Sequence, residues 1–472
     1  MRNASDRQAA GKPGRIRQWL EKRFTTEQFT FKQIWDMFVP LTFDQLFIYG
    51  IGILSVSMVS SSGQEAMAAV SMVGSLGFLV TAIFSALASG GTIIVARAVG
   101  SGDQSRVRRA TAQTVTVSTL ASIVCTAAFI VFAEHLVQLL FPNADPLVRQ
   151  YAIEYLRTIS LSYVPFAIFN AIFYVFRGLG DSRSSLILTI IINTTHLLCT
   201  FLFVNGLGMG VTGSALSYVV ARAIGAVTAV IWLFKVSNRV HVRPRDLLHL
   251  SRDIVGPIFQ LGMPLALEQV LFQAGAVLSA AYISSLSVAT IAANGVANNV
   301  FNLFLTTAFA LMNTATTICG QCVGAQRFDL VRSYIGSFVT AGRFVLALTV
   351  LAVAPLMPLV LMLYSPTAEA LPLIYTALLI GAVPLPFVWA DSNIISASIR
   401  TAGDVTYTTV ASLLAMWFAR VGMGYVLAIP CGLGIAGVWL GAVAEWLLRA
   451  ILWHVRLRGD RWIKIKRQST EG

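Results

Sequence analysis

Four acidic residues of this 472-residue chain stand inside long apolar stretches: Asp44, Glu268, Asp391 and Glu445. A carboxylate in such a setting is costly, and its default reading is functional. Low dielectric disfavours its charged form, so it can exchange a proton near neutral pH. It can also hold a cation. Asp44 and Glu268 each follow a proline by four residues, Pro40 and Pro264. A helix proline frees a backbone carbonyl, a second ligand for a cation or a water. Eleven residues make about three helical turns. Ser55 therefore shares a face with Asp44, and Ser279 shares one with Glu268. Asn193 and Gln269 add neutral polar groups. Asp44, Glu268, Asp391, Ser55, Ser279, Asn193 and Gln269 form the candidate site for a coupling ion and a substrate. Glu445 and Arg449 are four apart, at the spacing of a helix ion pair, and a structural role is expected for them. Arg343 and Arg420 have no acid nearby in the sequence.

The elements that position these groups are membrane helices. The chain is 56% hydrophobic and 12% charged, with a mean hydropathy of +0.74. Soluble domains carry about 25% charged residues, which excludes a soluble enzyme, a disordered chain and a coiled coil. Twelve apolar runs fill residues 34–455, each near the roughly 20 residues that span a bilayer as a helix. Strands of a barrel would be about half that length. The net charge of +13 reads as orientation. Of 34 Lys and Arg, 28 fall in the two tails and the even-numbered connections, and one, Arg149, in the odd-numbered ones. That asymmetry places both termini in the cytoplasm. It needs no nucleic acid, and a multi-pass plasma (inner) membrane protein is expected.

The chain repeats itself. Pro40-Leu41…Asp44-Gln45 matches Pro264-Leu265…Glu268-Gln269 at an offset of 224. Val99-Gly100 and Val323-Gly324 keep that offset, and Arg177…Gly180-Asp181 matches Arg400…Gly403-Asp404 at 223. Arg222 matches Arg449 at 227. Two six-helix units follow, entering the membrane in the same sense, with a binding site between them. The expected division is a basic N-terminal tail (1–33), an N-lobe (34–234), a linker (235–254), a C-lobe (255–455) and a C-terminal tail (456–472).

Read together, Pro40-Leu41…Asp44-Gln45, Gly63-Gln64-Glu65-Ala66, Arg177-Gly178-Leu179-Gly180-Asp181-Ser182, Gly262-Met263-Pro264…Glu268 and Glu445-Trp446…Arg449 resemble the MATE (multidrug and toxic compound extrusion) family of the MOP superfamily. The resemblance implies an all-α polytopic membrane protein, twelve transmembrane helices in two pseudo-symmetric lobes forming a V. It also implies export of organic cations or drugs by antiport with H+ or Na+. Many members carry an aspartate midway along the first helix. Ser55 stands there in this chain, and Asp44 is the nearest acid on that face. Glu268 and Asp391 lie in the seventh and tenth helices, where some members place acids.

Other classes find less support. An intramembrane enzyme needs a metal cluster or a Ser–His pair, and His196 is the one histidine within a span. Gly208-Met209-Gly210-Val211-Thr212-Gly213 fits a dinucleotide fingerprint, but the next acid is Asp246 and the segment joins two spans. Cys319-Gly320-Gln321-Cys322 lacks a second pair for a metal. The expectation is a monomeric transporter, not an enzyme, with no metal or cofactor beyond its coupling ion. The alternative is a superfamily flippase or exporter of a lipid-linked or polar metabolite, which a cationic cavity would favour.

Overall fold

The computed structural model describes residues 15–59, 64–140, 142, 145–362, 364 and 366–465; the side chains of 15–17, 51–72 and 75 fall outside that description. Ser55 is thus placed by its backbone alone, and the role expected of its hydroxyl lies outside the described residues. The helices of the first half are α1 (Arg15–Phe24), α2 (Phe31–Val59), α3 (Gln64–Gly100), α4 (Gln104–Val131), α5 (Ala133–Leu140), α6 (Pro146–Ser160), α7 (Tyr163–Gly178), α8 (Ser182–Thr200) and α9 (Gly210–Ile231). The second half has α10 (Arg252–Ser284), α11 (Val288–Gly324), α12 (Phe328–Val353), α13 (Met357–Met362), α14 (Ala370–Ala382), α15 (Leu385–Thr401), α16 (Val405–Ala415), α17 (Gly424–Ala428) and α18 (Ile435–Leu457).

Among the described residues, nine helices are long and apolar enough to cross a membrane. Two further spans are broken: α6 and α7 meet at 47°, α14 and α15 at 59°. The breaks are equivalent in the two halves, because the second falls at Val383-Pro384 and the first at Leu161-Ser162. With the 29-residue α2, the set agrees with the twelve spans expected.

The Arg…Gly-Asp motif has a local cause. Arg177 ends α7 and Arg400 ends α15. Gly180 and Gly403 then take positive φ, +76° and +98°, a conformation that glycine adopts without strain. Asp181 caps α8 by accepting from the Ser184 amide at 3.2 Å. Asp404 instead takes two hydrogen bonds from Arg456 on α18, at 2.8 and 3.1 Å.

The two tails and the linker are tied to the lobes. α1 and the turn after it dock on α12 of the C-lobe through Arg23–Thr340 (2.7 Å), Thr26–Tyr334 (2.6 Å) and the edge-on rings of Phe24 and Phe338. So part of the N-terminal segment expected to be a tail is a packed helix. The linker is strapped to α4 by Arg108–Asp246 (3.2 Å), Gln113–Ser251 (2.7 Å) and Thr116 to the Leu247 carbonyl (2.8 Å).

The lobes meet where α3 and α2 face α10 and α11. The closest approach is reciprocal. A methyl on Gly100 would strike the Gln321 carbonyl, and one on Gly324 would strike the Arg97 carbonyl. These four positions exchange under the 224-residue repeat. Glycine alone lets the two backbones cross this closely. Two hydrogen bonds fasten the crossing. Arg97 Nε donates to the Thr401 carbonyl (2.8 Å), and Gln321 Nε2 donates to the Gly178 carbonyl (3.2 Å). Thr317 adds a third, to the Arg177 carbonyl at 2.9 Å. This end of the molecule carries Arg106, Arg108 and Arg109, the basic end of the sequence.

A matched pair of alanines tests the crossing. Gly295 lies in the same helix, α11, as Gly324, but nothing lies within 4 Å of the methyl it lacks. Gly295→Ala should stabilise by up to about 1 kcal/mol through reduced chain entropy. Gly324→Ala should destabilise by about 1–3 kcal/mol. Thermal unfolding of the purified protein in detergent checks the opposite signs.

Candidate functional site

Both acids of the repeated motif are ion-paired, each to the arginine of the other repeated motif. Asp44 on α2 is fully buried and accepts from Arg177 Nη2 at 2.5 Å. Glu268 on α10 accepts from Arg400 Nη2 at 2.9 and 2.7 Å, and from the Thr409 hydroxyl at 3.0 Å. The two pairs are pseudo-symmetric copies but are not equally satisfied. Asp44 Oδ1 and Arg177 Nε have no hydrogen-bond partner. The Arg177 guanidinium instead lies over the Phe173 ring, 4.2 Å from its centre. Where the sequence suggested a carboxylate standing alone in low dielectric, the structure has an ion pair. The cause is helix ends: α7 and α15 stop where their last-turn arginines reach inward to the proline-bearing helices.

This revises two other readings. By sequence Arg177 and Arg400 fall among the 28 basic residues of the tails and even-numbered connections, yet Arg177 is 6% exposed and both line the central cavity. Their signal was present in the sequence, since an acid at offset 224 and an arginine at offset 223 repeat together. Arg343 and Arg420 do have acid partners, on other helices. Arg343 binds Asp391 through two hydrogen bonds (3.0 and 2.7 Å), and His454 Nε2 is 3.3 Å from the same carboxylate, so His196 is not the one histidine within a span: His454 lies in the last turn of α18. Arg420 binds Glu445 at 2.5 Å. The pair expected from spacing, Glu445–Arg449, is present at 3.1 Å.

A cavity of about 560 Å³ lies between the lobes. Arg177, Glu268, Gln269, Asn313, Arg400 and Arg449 supply polar groups to its wall. A second cavity, of about 490 Å³, runs into the N-lobe past Gln45, Asn193, His196, Tyr218 and Arg222. Ser85, Tyr174, Arg177 and Asn313 belong to both, so the two spaces adjoin. Asn193 also donates to the Thr189 carbonyl of its own helix at 2.9 Å. Neither Asp391 nor Ser279 lines either space. Asp391 faces α12 and α18 within the C-lobe. Ser279 shares the helix face of Glu268, but eleven residues carry it about 16 Å along the axis. Its hydroxyl has no hydrogen-bond partner.

The repeat is the observation that decides kinship. One family model, MatE, matches the chain twice, over residues 40–202 and 264–426. The chain belongs to the MatE family. Both matches are displaced by 224 residues, the offset that relates Asp44 to Glu268. The chain is 22% identical to a probable multidrug resistance protein NorM of Thermotoga maritima, over 92% of this chain and 93% of that one. It is 24% identical to the probable multidrug resistance protein YoeA of Bacillus subtilis, over 83% and 85%. Among solved structures, an outward-facing multidrug resistance MATE transporter of the MOP superfamily has a TM-score of 0.81, at 20% identity over 90% of this chain and 95% of that one. A MOP superfamily transporter from Pyrococcus furiosus has a TM-score of 0.82, at 19% identity over 92% and 97%. This MATE protein is therefore a multi-span membrane transporter for small molecules, from a transporter rather than an enzyme family.

Its buried ion pairs are testable by double-mutant cycle. Arg177→Met leaves Asp44 without a counter-charge and should cost about 3–5 kcal/mol. Asp44→Asn with Arg177→Met should recover part of that loss. Unfolding temperatures of the single and double variants check the coupling. Simple additivity would deny it.

Proposed function

We propose that this chain is a secondary active exporter of drug-sized organic cations, working by antiport with H+ or Na+ through alternating access of its two lobes. The carrying observation is that ion pair and lobe contact occupy adjacent residues. Arg400 holds Glu268, and the next residue, Thr401, accepts the cross-lobe bond of Arg97. Arg177 holds Asp44, and the next residue, Gly178, accepts that of Gln321. An ion that takes Glu268 from Arg400 frees the arginine and shifts the helix end on which the lobe contact rests. Among the described residues, Glu268 is the one carboxylate lining the central cavity. A proton or Na+, and a cationic cargo, would compete for it. Binding one then weakens the other, which is the linkage antiport requires. The names of the NorM and YoeA relatives support a multidrug cargo.

The alternative, export or flipping of a lipid-linked or polar metabolite, has its own support. Arg177, Arg222, Arg400 and Arg449 line the two cavities, against one acid. Asp44 and Glu268 neutralise two of the four, and Glu445 is shared between Arg449 and Arg420, so the cavity is less cationic than that count implies. The cation exporter remains the better reading.

Proteoliposomes under an imposed H+ or Na+ gradient test it. Wild-type protein should expel ethidium when one of the two gradients is imposed. Glu268→Gln should fold and insert but lose the ion-driven component. Undiminished ethidium export by Glu268→Gln would refute the coupling role.

We place the Arg97–Gln321 end and both termini in the cytoplasm, in a plasma (inner) membrane. Cys431 is exposed on the opposite side, between α17 and α18. A membrane-impermeant maleimide should therefore label Cys431 in intact spheroplasts. Labelling confined to inverted vesicles would reverse the orientation.

A further inference from the structure

One charge on the cavity wall has no carboxylate partner among the described residues. Arg222 stands near the middle of α9 and lines the N-lobe cavity. Its Nη1 donates to the Ser162 hydroxyl at 2.7 Å. Its guanidinium lies over the rings of Phe166 and Tyr218, 4.5 and 5.0 Å from their centres. The titratable groups around it are the phenols of Tyr155, Tyr163 and Tyr218 and the imidazole of His196. Among the described residues, no carboxylate oxygen lies within the 4.0 Å of an ion pair.

The repeat shows what is missing. Arg449 is the C-lobe copy of Arg222, at offset 227, and it pairs with Glu445, four residues earlier on the same helix. The same offset carries Glu445 to Tyr218. The C-lobe thus supplies its own carboxylate, and the N-lobe has a phenol in that place. The phenol ring packs against His196, tilted by 35° with ring centres 4.1 Å apart. An uncompensated guanidinium at mid-membrane is expensive. Its planar donor fork matches a carboxylate through two parallel hydrogen bonds.

We propose that Arg222 anchors the carboxylate of an aromatic organic acid or zwitterion that enters the N-lobe cavity, so that the cargo provides the counter-charge Tyr218 does not. The rest of the wall fits an aromatic body. Phe166, Phe169, Phe173 and Phe309 line the cavity, and Asn170 and Asn193 offer neutral donors and acceptors. The proposal rests on the exporter reading only in that this cavity lies on the path of the cargo. It adds to that reading a cargo with an acidic end.

Calorimetric titration of the purified full-length protein in detergent tests the assignment. The probes are naphthalene-1-carboxylate, its neutral amide and 1-naphthyl phosphate. Wild type should bind the carboxylate about tenfold to a hundredfold more tightly than the amide, the range of a charged hydrogen bond. Arg222→Met should make the two equal. Arg222→Lys, which keeps the charge and loses the fork, should keep part of the preference. Tyr218→Glu rebuilds the C-lobe pair inside the N-lobe, so it should fold and should also lose the preference. That variant decides the matter if Arg222→Met does not fold. The proposal is overturned if wild type does not bind the carboxylate, if it binds the amide equally well, or if the preference survives Tyr218→Glu. Tighter binding of the phosphate would overturn the carboxylate assignment. A preference without ion-driven export in proteoliposomes would defeat the exporter reading and leave this one standing. Export without a preference would do the reverse.

Discussion

A charge inside a membrane must be answered by another charge, and much of this structure follows from how that is done. Asp44 and Glu268 each sit on a proline-bearing helix, and each is answered by an arginine from the last turn of a broken span. That requirement fixes where α7 and α15 stop, because the guanidinium must reach inward before Gly180 or Gly403 turns the chain away. It also sets which helices share a lobe. α2 is tied to α7, and α10 to α15, by pairs whose disruption would strand a buried charge at a cost of about 3–5 kcal/mol. The pairs do not make the fold more stable than a well-packed apolar core would. What they fix is which helices pair, α2 with α7 and α10 with α15.

The same helix ends hold the lobes together. The carbonyls of Gly178 and Thr401, each one residue past an ion-paired arginine, accept the cross-lobe bonds of Gln321 and Arg97. The helix termini leave such carbonyls without an intrahelical donor, so the two interactions fall on neighbouring residues for a structural reason. Gly100 and Gly324 let the partner backbones come close enough for those bonds to form. The crossing itself is made of a few hydrogen bonds and close backbone packing, and beside it Leu87 and Ile93 of α3 share one apolar cluster with Ile258, Leu261 and Leu265 of α10.

Much of this was legible in the sequence, and the limit has a physical cause. Apolar runs, basic asymmetry and the 224-residue repeat are properties of single segments, so they survive without knowledge of packing. Glu445–Arg449 was legible too, because four residues on a helix is a local distance. Arg343–Asp391 was not, since its partners are 48 residues apart and meet only when α12 packs on α15. Arg177 and Arg400 misled for a different reason. They lie at helix ends near the basic face, where a sequence count assigns them to solvent. Direction decides their role, and no linear count contains direction. Ser279 shows the converse case, a residue on the right face but too far along the axis to share a site with Glu268.

The repeat also separates what must be symmetric from what need not be. The lobe crossing joins one half to the other through equivalent positions, so a change on one side alone would spoil the match. Gly100 and Gly324 accordingly remain the same residue, and Arg97 and Gln321 remain side chains long enough to reach the opposite carbonyl. The cavity walls line open space and are not held against each other, and there the halves differ. Glu268 has a hydroxyl and a two-bonded arginine, whereas Asp44 takes one bond from its arginine and one from Gln45, both on the same oxygen, and leaves its other oxygen unpartnered. Glu445 is shared by two arginines, whereas its counterpart is Tyr218, beside an arginine without a carboxylate. A duplicated crossing beside an unduplicated cavity follows from that difference in constraint: backbone contact holds the first alike in both halves, and no such contact binds the walls of the second.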